Sequence, residues 1–398
     1  PETGQSTPVI VGDKIFLTCF KQVTSATKDA KDIQAMCYNA KSGELLWQKN
    51  LPGDEVSRIS GCFGDNSGPA PVSDGENVCF FNASGLIKCF DLDGNEKWAV
   101  NIKNSRRSDP YLLNGVIIFC GSAELSEIKG RHIKGIDFKT GKLLWQSSCY
   151  SWDGLTPTAY KRPNGEWVAL VARGGGHVKD AFTEGFNLIS LKDGKEKWAY
   201  PFKGFRSTQN FTLKNDNAYV FLPNGRHLTI SLETGKVIRE DNLHEGAEAA
   251  LFQNGSYKWV SMVDVNLKKR STIQMSNFLV GKYHFFRTYN DAYLGRLNIE
   301  TGKTQYLQLP AQLERVASKT NYCWGPKDIK IKRSAKKKGP PLANEWLLRK
   351  NSMISNSGHL VVGDARSHFS GWGHHSAALP TVAGEYLFVP TMSGLVYV

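Results

Sequence analysis

Several things are missing from this 398-residue chain, and each absence removes a class of function. No stretch approaches the roughly 20 consecutive apolar residues of a membrane-spanning helix, and no long segment carries helical periodicity. The eight cysteines stand singly, at Cys19, Cys37, Cys62, Cys79, Cys89, Cys120, Cys149 and Cys323, so there is neither a CxxC nor a Cys-His zinc spacing. Cys19, Cys79 and Cys120 sit in the strand-like runs IFLTC, NVCFF and IIFC, where a thiol packs as a small apolar group; one or two disulfides in an oxidising compartment stay open. The Gly-rich RGGGH (173–177) lacks the Lys-Ser/Thr ending and the following helix of a phosphate loop. The chain opens at Pro1 with neither an initiator Met nor a basic-then-apolar leader, which reads as a trimmed, soluble mature form. With 40% hydrophobic and 22% charged residues the composition is that of a globular protein, not a disordered one.

Acidic residues are in deficit. The formal net charge is +13, and the segment 327–338 (KDIKIKRSAKKK) holds seven basic residues against one acid. The rest of the chain is still basic, which favours an acidic partner such as an anionic polysaccharide, a nucleic acid or a lipid surface. The Lys run itself, ending in Gly339-Pro340-Pro341, reads as a solvated loop within an irregular insertion at 310–345. It has no interleaved aromatics of the kind that stack nucleic-acid bases, so a nucleic-acid partner is not expected.

What is abundant is a repeat. A short strand, a turn with Gly, and a Trp four residues after that Gly recur at KSGELLW (to Trp47), LDGNEKW (to Trp98), KTGKLLW (to Trp145) and KDGKEKW (to Trp198). Two degenerate copies follow, ETGKVIR and ETGKTQY, in which Arg239 and Tyr306 replace the Trp. The glycines at 43, 94, 141, 194, 235 and 302 are 51, 47, 53, 41 and 67 residues apart, a period that suits propeller blades rather than helical solenoids. Openings such as STPVIVGDKIFLTCF (6–20), SDPYLLNGVIIFC (108–120) and AALPTVAGEYLFVPT (377–391) alternate apolar and polar residues around a tight turn, the pattern of antiparallel hairpins. The expected fold is all-β: a single, monomeric β-propeller over 1–398 built from four-stranded antiparallel blades, lettered A to D from the centre outward. Eight blades are favoured if 345–370 forms a reduced one, with seven as the alternative. The Trp residues are expected on strand D, packed between blades. The last repeat stops at its third strand, so ring closure by strands from both ends of the chain is expected.

These hairpins and the STPVIVGDKIF opening resemble the pyrroloquinoline-quinone-like propellers, which include the outer-membrane assembly lipoprotein and the quinoprotein alcohol dehydrogenases. The resemblance is clear over residues 5–243 and patchy beyond. It implies an exported, periplasmic or extracellular protein. The dehydrogenases hold their quinone with a vicinal Cys-Cys disulfide, a Trp floor, a Ca²⁺ and an Asp base; no Cys-Cys pair occurs here. No cofactor is therefore expected: quinone is not, and a structural cation stays open without support from any residue cluster.

Blade order places the D-to-A and B-to-C loops at one face. The D-to-A loops supply Arg106 and Arg107, Trp152 and Asp153, Arg206, His244 and Glu245, then Trp372, His374 and His375; the B-to-C loops supply Arg173 and His177, Arg226 and His227, and Arg287 and Tyr289. Arg offers a planar fork for carboxylate or sulfate, and Trp152 and Trp372 offer faces for sugar rings. The sharpest reading is a site for an acidic polysaccharide or oligosaccharide cleaved by β-elimination. Arg106, Arg107, Arg173, Arg206, Arg287, Trp152, Trp372 and His375 would bind; His177, His244, His374 and Tyr289 would move protons. Asp153 and Glu245 are the alternative, as a glycosidase pair. From another class, a non-catalytic scaffold of the assembly-lipoprotein type would use its long loops to hold a protein partner. No third ligand accompanies the paired His374-His375, so no metal site is read. Asn82, Asn210 and Asn254 match the glycosylation triplet.

Overall fold

The computed structural model describes residues 4–21, 29–59, 64–102, 108–122, 131–150, 157–173, 184–202, 211–222, 225–253, 256–262, 277–287, 293–308, 313–317, 322–326, 381–390 and 396–398. Among them there is no α-helix. Five four-stranded antiparallel sheets follow one another, each ordered A-B-C-D. Sheet one comprises Val9–Val11, Lys14–Cys19, Ile33–Asn39 and Leu45–Leu51. Sheet two comprises Val72–Ser73, Asn77–Phe81, Leu86–Asp91 and Glu96–Asn101. Sheet three comprises Tyr111–Leu113, Val116–Ser122, Arg131–Asp137 and Leu143–Tyr150. Sheet four comprises Thr158–Lys161, Trp167–Arg173, Gly185–Ser190 and Glu196–Pro201. Sheet five comprises Thr212–Lys214, Asn217–Phe221, Arg226–Ser231 and Val237–Asn242. These are propeller blades, and the fold class is the all-β propeller read from the repeat.

Local chemistry explains the hairpins. Strands A and B of sheet three meet at Asn114 (φ 49°) and Gly115 (φ 76°), the left-handed pair that a two-residue turn needs to match strand twist. Each C-to-D turn is organised by its first residue. In sheet one Asn39 Oδ1 accepts the amides of Lys41 and Ser42, and Gly43 N–H closes back on the Asn39 carbonyl at 2.9 Å. Just beyond these turns strand D carries one extra residue in every one of the five sheets, a β-bulge placed immediately before Trp47, Trp98, Trp145, Trp198 and Arg239.

The bulge aims the Trp at the next repeat. A Cβ on Gly94 would meet the Trp47 ring at 3.0 Å, one on Gly141 the Trp98 ring at 2.6 Å, one on Gly194 Trp145 at 2.7 Å, and one on Gly235 Trp198 at 2.8 Å. The indole N–H of Trp47 donates to the Leu92 carbonyl (3.0 Å), that of Trp98 to Phe138 (2.9 Å) and that of Trp198 to Leu232 (2.9 Å). Arg239 keeps the arrangement without a Trp: it covers Gly302 and donates from Nη1 to the Glu300 carbonyl. Apolar clusters fill the space between sheets, for example Phe16, Phe80 and Phe90 with Trp47, and Phe81 with Ile117 and Phe119.

Sheet six departs from the pattern. Its four strands, Asn277–Val280, Tyr283–Arg287, Tyr293–Asn298 and Thr304–Gln308, are joined by a hairpin of Glu248–Gln253 and Ser256–Ser261, giving six strands. The hairpin's first strand runs parallel to strand D, pairing Glu248 with Gln305 and Ala250 with Leu307. Here strand D has no bulge, and Tyr306 donates its hydroxyl to the Leu243 carbonyl at 2.9 Å. The repeat reading had taken 243–248 as a plain loop leading to the next blade. A hairpin of Leu313–Ala317 and Tyr322–Pro326 lies within the segment read as irregular, and Thr381–Ala383, Tyr386–Pro390 and Val396–Tyr397 form a three-stranded sheet.

Contacts group the chain into two compact units. One is Pro1–Thr208 with Leu213–Asp216 and Leu232–Gly235; the other is Gln209–Thr212, Asn217–Ser231 and Lys236–Val398. In the first, Arg162 is buried among carboxylates: its guanidinium binds Asp216 at 2.8 and 2.9 Å, Glu166 at 3.0 Å, and Glu233, while Lys197 also holds Glu166.

Candidate functional site

Of the residues assigned to the funnel mouth, Arg106, Arg107, Trp152, Asp153, His177, Arg206, Tyr289, Trp372, His374 and His375 lie outside the described residues. Arg173 and Arg287 occupy one register position, the last residue of strand B in sheets four and six respectively. Arg173 is half-buried, and its Nε is buried with no hydrogen-bond partner. His244 lies in the turn after strand D of sheet five, where Gly246 adopts φ +62°. Its backbone N–H donates to Asn242 Oδ1 and its ring lies parallel to Tyr306 with centroids 6.3 Å apart; burial pushes its imidazole pKa down. Glu245 beside it is exposed.

Like Arg173 and Arg287, two more residues assigned to the B-to-C loops are strand residues. Arg226 and His227 open strand C of sheet five; Arg226 pairs with Glu240, and His227 is fully buried. The Gly225 amide and the Leu243 N–H close the turn early, so the ladder begins two residues sooner than the NGRH pattern suggests. Asn82 is corrected too. It is fully buried at the B-to-C turn of sheet two, its Nδ2 donating to the Lys31 and Leu51 carbonyls at 2.9 and 3.0 Å, so it is no glycan acceptor in the folded chain. Asn210 and Asn254 lie outside the described residues.

A buried polar group in the second unit was not read from the sequence. His227 Nε2 and His284 Nδ1 are 3.0 Å apart. His284 Nε2 faces Asn277 Oδ1 at 3.0 Å and Thr212 Oγ1 at 3.1 Å. On the other side, His227 Nδ1 faces Asp241 Oδ2 at 3.7 Å, and Arg239 Nε donates to Asp241 Oδ1 at 2.8 Å. Phe221 and Phe286 close over the pair, the Phe221 ring lying 4.4 Å from His284 and 4.9 Å from His227. Desolvation depresses both imidazole pKa values. The only readable signal was strand alternation in YHFFR, where His284 shares the buried parity of Phe286.

Among the described residues a quinone with its cation finds no matching donor set. No two cysteines are consecutive, and among the described residues no group of three or more His, Cys, Asp or Glu is placed to hold a metal ion. Cys79 and Cys89 face each other across strands B and C of sheet two as buried thiols.

Comparison with known proteins adds the following. Residues 2–147 match the profile of the family described as outer membrane protein assembly factor BamB. No match was found among the curated proteins. Among solved structures, BamB from Moraxella catarrhalis is similar at 12% identity and a TM-score of 0.48, covering 100% of this chain and 94% of that one. The quinohemoprotein alcohol dehydrogenase from Comamonas testosteroni is similar at 13% identity and a TM-score of 0.45, covering 74% of this chain; the match spans 52% of the dehydrogenase. With its Trp-over-Gly repeats and four-stranded sheets, the chain resembles, over residues 2–147, the family of the outer membrane protein assembly factor BamB.

Proposed function

We propose that the protein is a non-catalytic, extracytoplasmic propeller that holds a protein partner, in the manner that an outer membrane protein assembly factor implies. The observation that carries this reading is the hairpin appended to sheet six. The repeat does not need it, and its outer strand Ser256–Ser261 exposes Trp259 (52%) and Tyr257 (42%), large aromatics of the type that anchor protein interfaces. The match over 2–147 supports the same class of role and the periplasmic or outer-membrane-associated location.

The anionic-polysaccharide reading has less behind it. His244, its one described proton-transfer residue, stacks on Tyr306 with a depressed pKa, and no acid is paired with it among the described residues. Arg173, with its unpartnered Nε, is the described residue best suited to an anionic sugar.

A photoreactive amino acid placed at Trp259 and, separately, at Arg173 tests both. The scaffold reading expects one discrete protein adduct from position 259 in living cells, lost when excess unlabelled protein competes. Absence of any protein adduct, with saturable binding of a uronate or sulfated polysaccharide that Arg173→Ala abolishes, would overturn it.

A further inference from the structure

We infer that the His227–His284 contact is an acid-sensitive latch joining sheets five and six. The argument is a proton inventory. Thr212 Oγ1 lies 3.1 Å from Asn277 Oδ1 and gives its one hydroxyl proton there. His284 Nε2 therefore faces two oxygens with no proton to offer it, and must itself carry a hydrogen. In the neutral ring Nδ1 is then the acceptor, and His227 Nε2–H donates to it across 3.0 Å. That leaves His227 Nδ1 as an acceptor toward Asp241 Oδ2, two buried atoms without a hydrogen-bond partner.

One added proton fits this arrangement and a second does not. The first goes to His227 Nδ1, where the Asp241 carboxylate faces it. A second, on His284 Nδ1, would set two N–H groups against each other at 3.0 Å. Among the described residues it would also have no counter-ion. The groups facing the pair are Tyr219 and Phe221 from strand B of sheet five, Asp241 and Arg239 from strand D, Thr212 from strand A, and Asn277 and Phe286 from sheet six. Asp241 is the one acid among them and already accepts from Arg239. Glu240 pairs with Arg226, and Glu300 reaches the cluster only through its carbonyl. The fold therefore keeps His284 neutral, whereas the open chain protonates it freely. Acid selects the parted state, and the parting falls between Arg226–Ser231 and Tyr283–Arg287.

Hydrogen–deuterium exchange, corrected for intrinsic rates and compared at about pH 7.5 and 5.5, tests this. Opening of strands Asn217–Phe221, Arg226–Ser231 and Tyr283–Arg287 is expected to grow about tenfold at the lower pH for each imidazole kept neutral by the fold. Strands of sheets one and two, which carry no histidine, serve as the internal control. In His284→Gln, whose amide hydrogen-bonds without titrating, the acid response of these three strands should be lost or fall about tenfold. Nitrogen-15 shifts of the two rings in the unmutated protein give a reading that needs no variant. Uniform acid response across all sheets, an unchanged response in His284→Gln, or a His284 ring that titrates near pH 6.5 with the fold intact would each overturn the latch.

Discussion

Trp98 stands directly over Gly141: a Cβ on that glycine would come within 2.6 Å of the indole, while the indole N–H donates to the Phe138 carbonyl three residues earlier. One side chain thus reads both the shape and the polarity of the next repeat's turn. Gly141→Ala meets two penalties, the clash and a φ of +72° that a Cβ disfavours. We expect a loss of about 2 kcal/mol or more by urea unfolding, and Gly12→Ala, with φ +57° and open space around it, should lose only about 1 kcal/mol. Equal losses at both positions would show that the Trp contact contributes nothing.

Arg162 is the charge on which Asp216 and Glu233 depend. Its guanidinium holds the Asp216 carboxyl below the usual range, and Lys197, then Arg162, do the same for Glu166. A depressed carboxylate stabilises the fold above its unfolded value, near 4, and that contribution is lost as pH falls through the folded value. Arg162→Met should therefore destabilise by about 2 kcal/mol at neutral pH, less than a fully buried pair would, because the acids are partly solvated. The difference from the unmutated protein should shrink below about pH 4, which acid-titrated thermal melts would register.

Asn82 spans two carbonyls with one amide group. Asn82→Ala takes this donor from the buried Leu51 carbonyl, while Asn66 Nδ2 still reaches the Lys31 carbonyl at 3.1 Å, so the expected cost is about 1–2 kcal/mol. Expression in a glycosylating host should add no glycan at this position, which intact-mass measurement checks directly.

Burial pushes the Cys37 thiol up to about 11 and the Cys79 thiol well above its ordinary value. Alkylation of Cys37 in the folded protein at about pH 8 should run about a hundredfold slower than that of a free thiol, and full labelling should wait for denaturant. Rapid native labelling of either residue would contradict their packed setting.

The repeat was legible because its signal is local: Gly43 and Trp47, or Gly141 and Trp145, lie four residues apart, and turn chemistry with β-bulge is encoded within that span. Even the degenerate ETGKVIR kept its role, since Arg239 offers an N–H donor and a flat group to Gly302 as an indole does. The appended hairpin escaped notice because its pairing partner, Thr304–Gln308, lies about fifty residues downstream and parallel pairing leaves no local mark. The histidine pair escaped for a related reason. Thr212, His227, Asp241, Asn277 and His284 come from five strands, and His227, two residues past an Asn-Gly, looked like part of the turn. Arg173, read from the blade count as a B-to-C loop residue, is the last residue of its strand, and no pattern in the sequence announces that its Nε is left without a partner.

The bulge before each strand-D aromatic has one more effect. An outer strand with one residue too many presents its amides and carbonyls out of step, so a second chain cannot zip along it in register. Sheets one to five are protected from runaway strand stacking by the same extra residue that orients their Trp or Arg. Sheet six, whose outer strand is regular, is the one that bears an additional strand of its own. Deleting Leu46, the residue that makes the bulge before Trp47, would regularise that edge, and concentrated solutions of the deletion protein should form β-rich aggregates that the unmutated chain avoids.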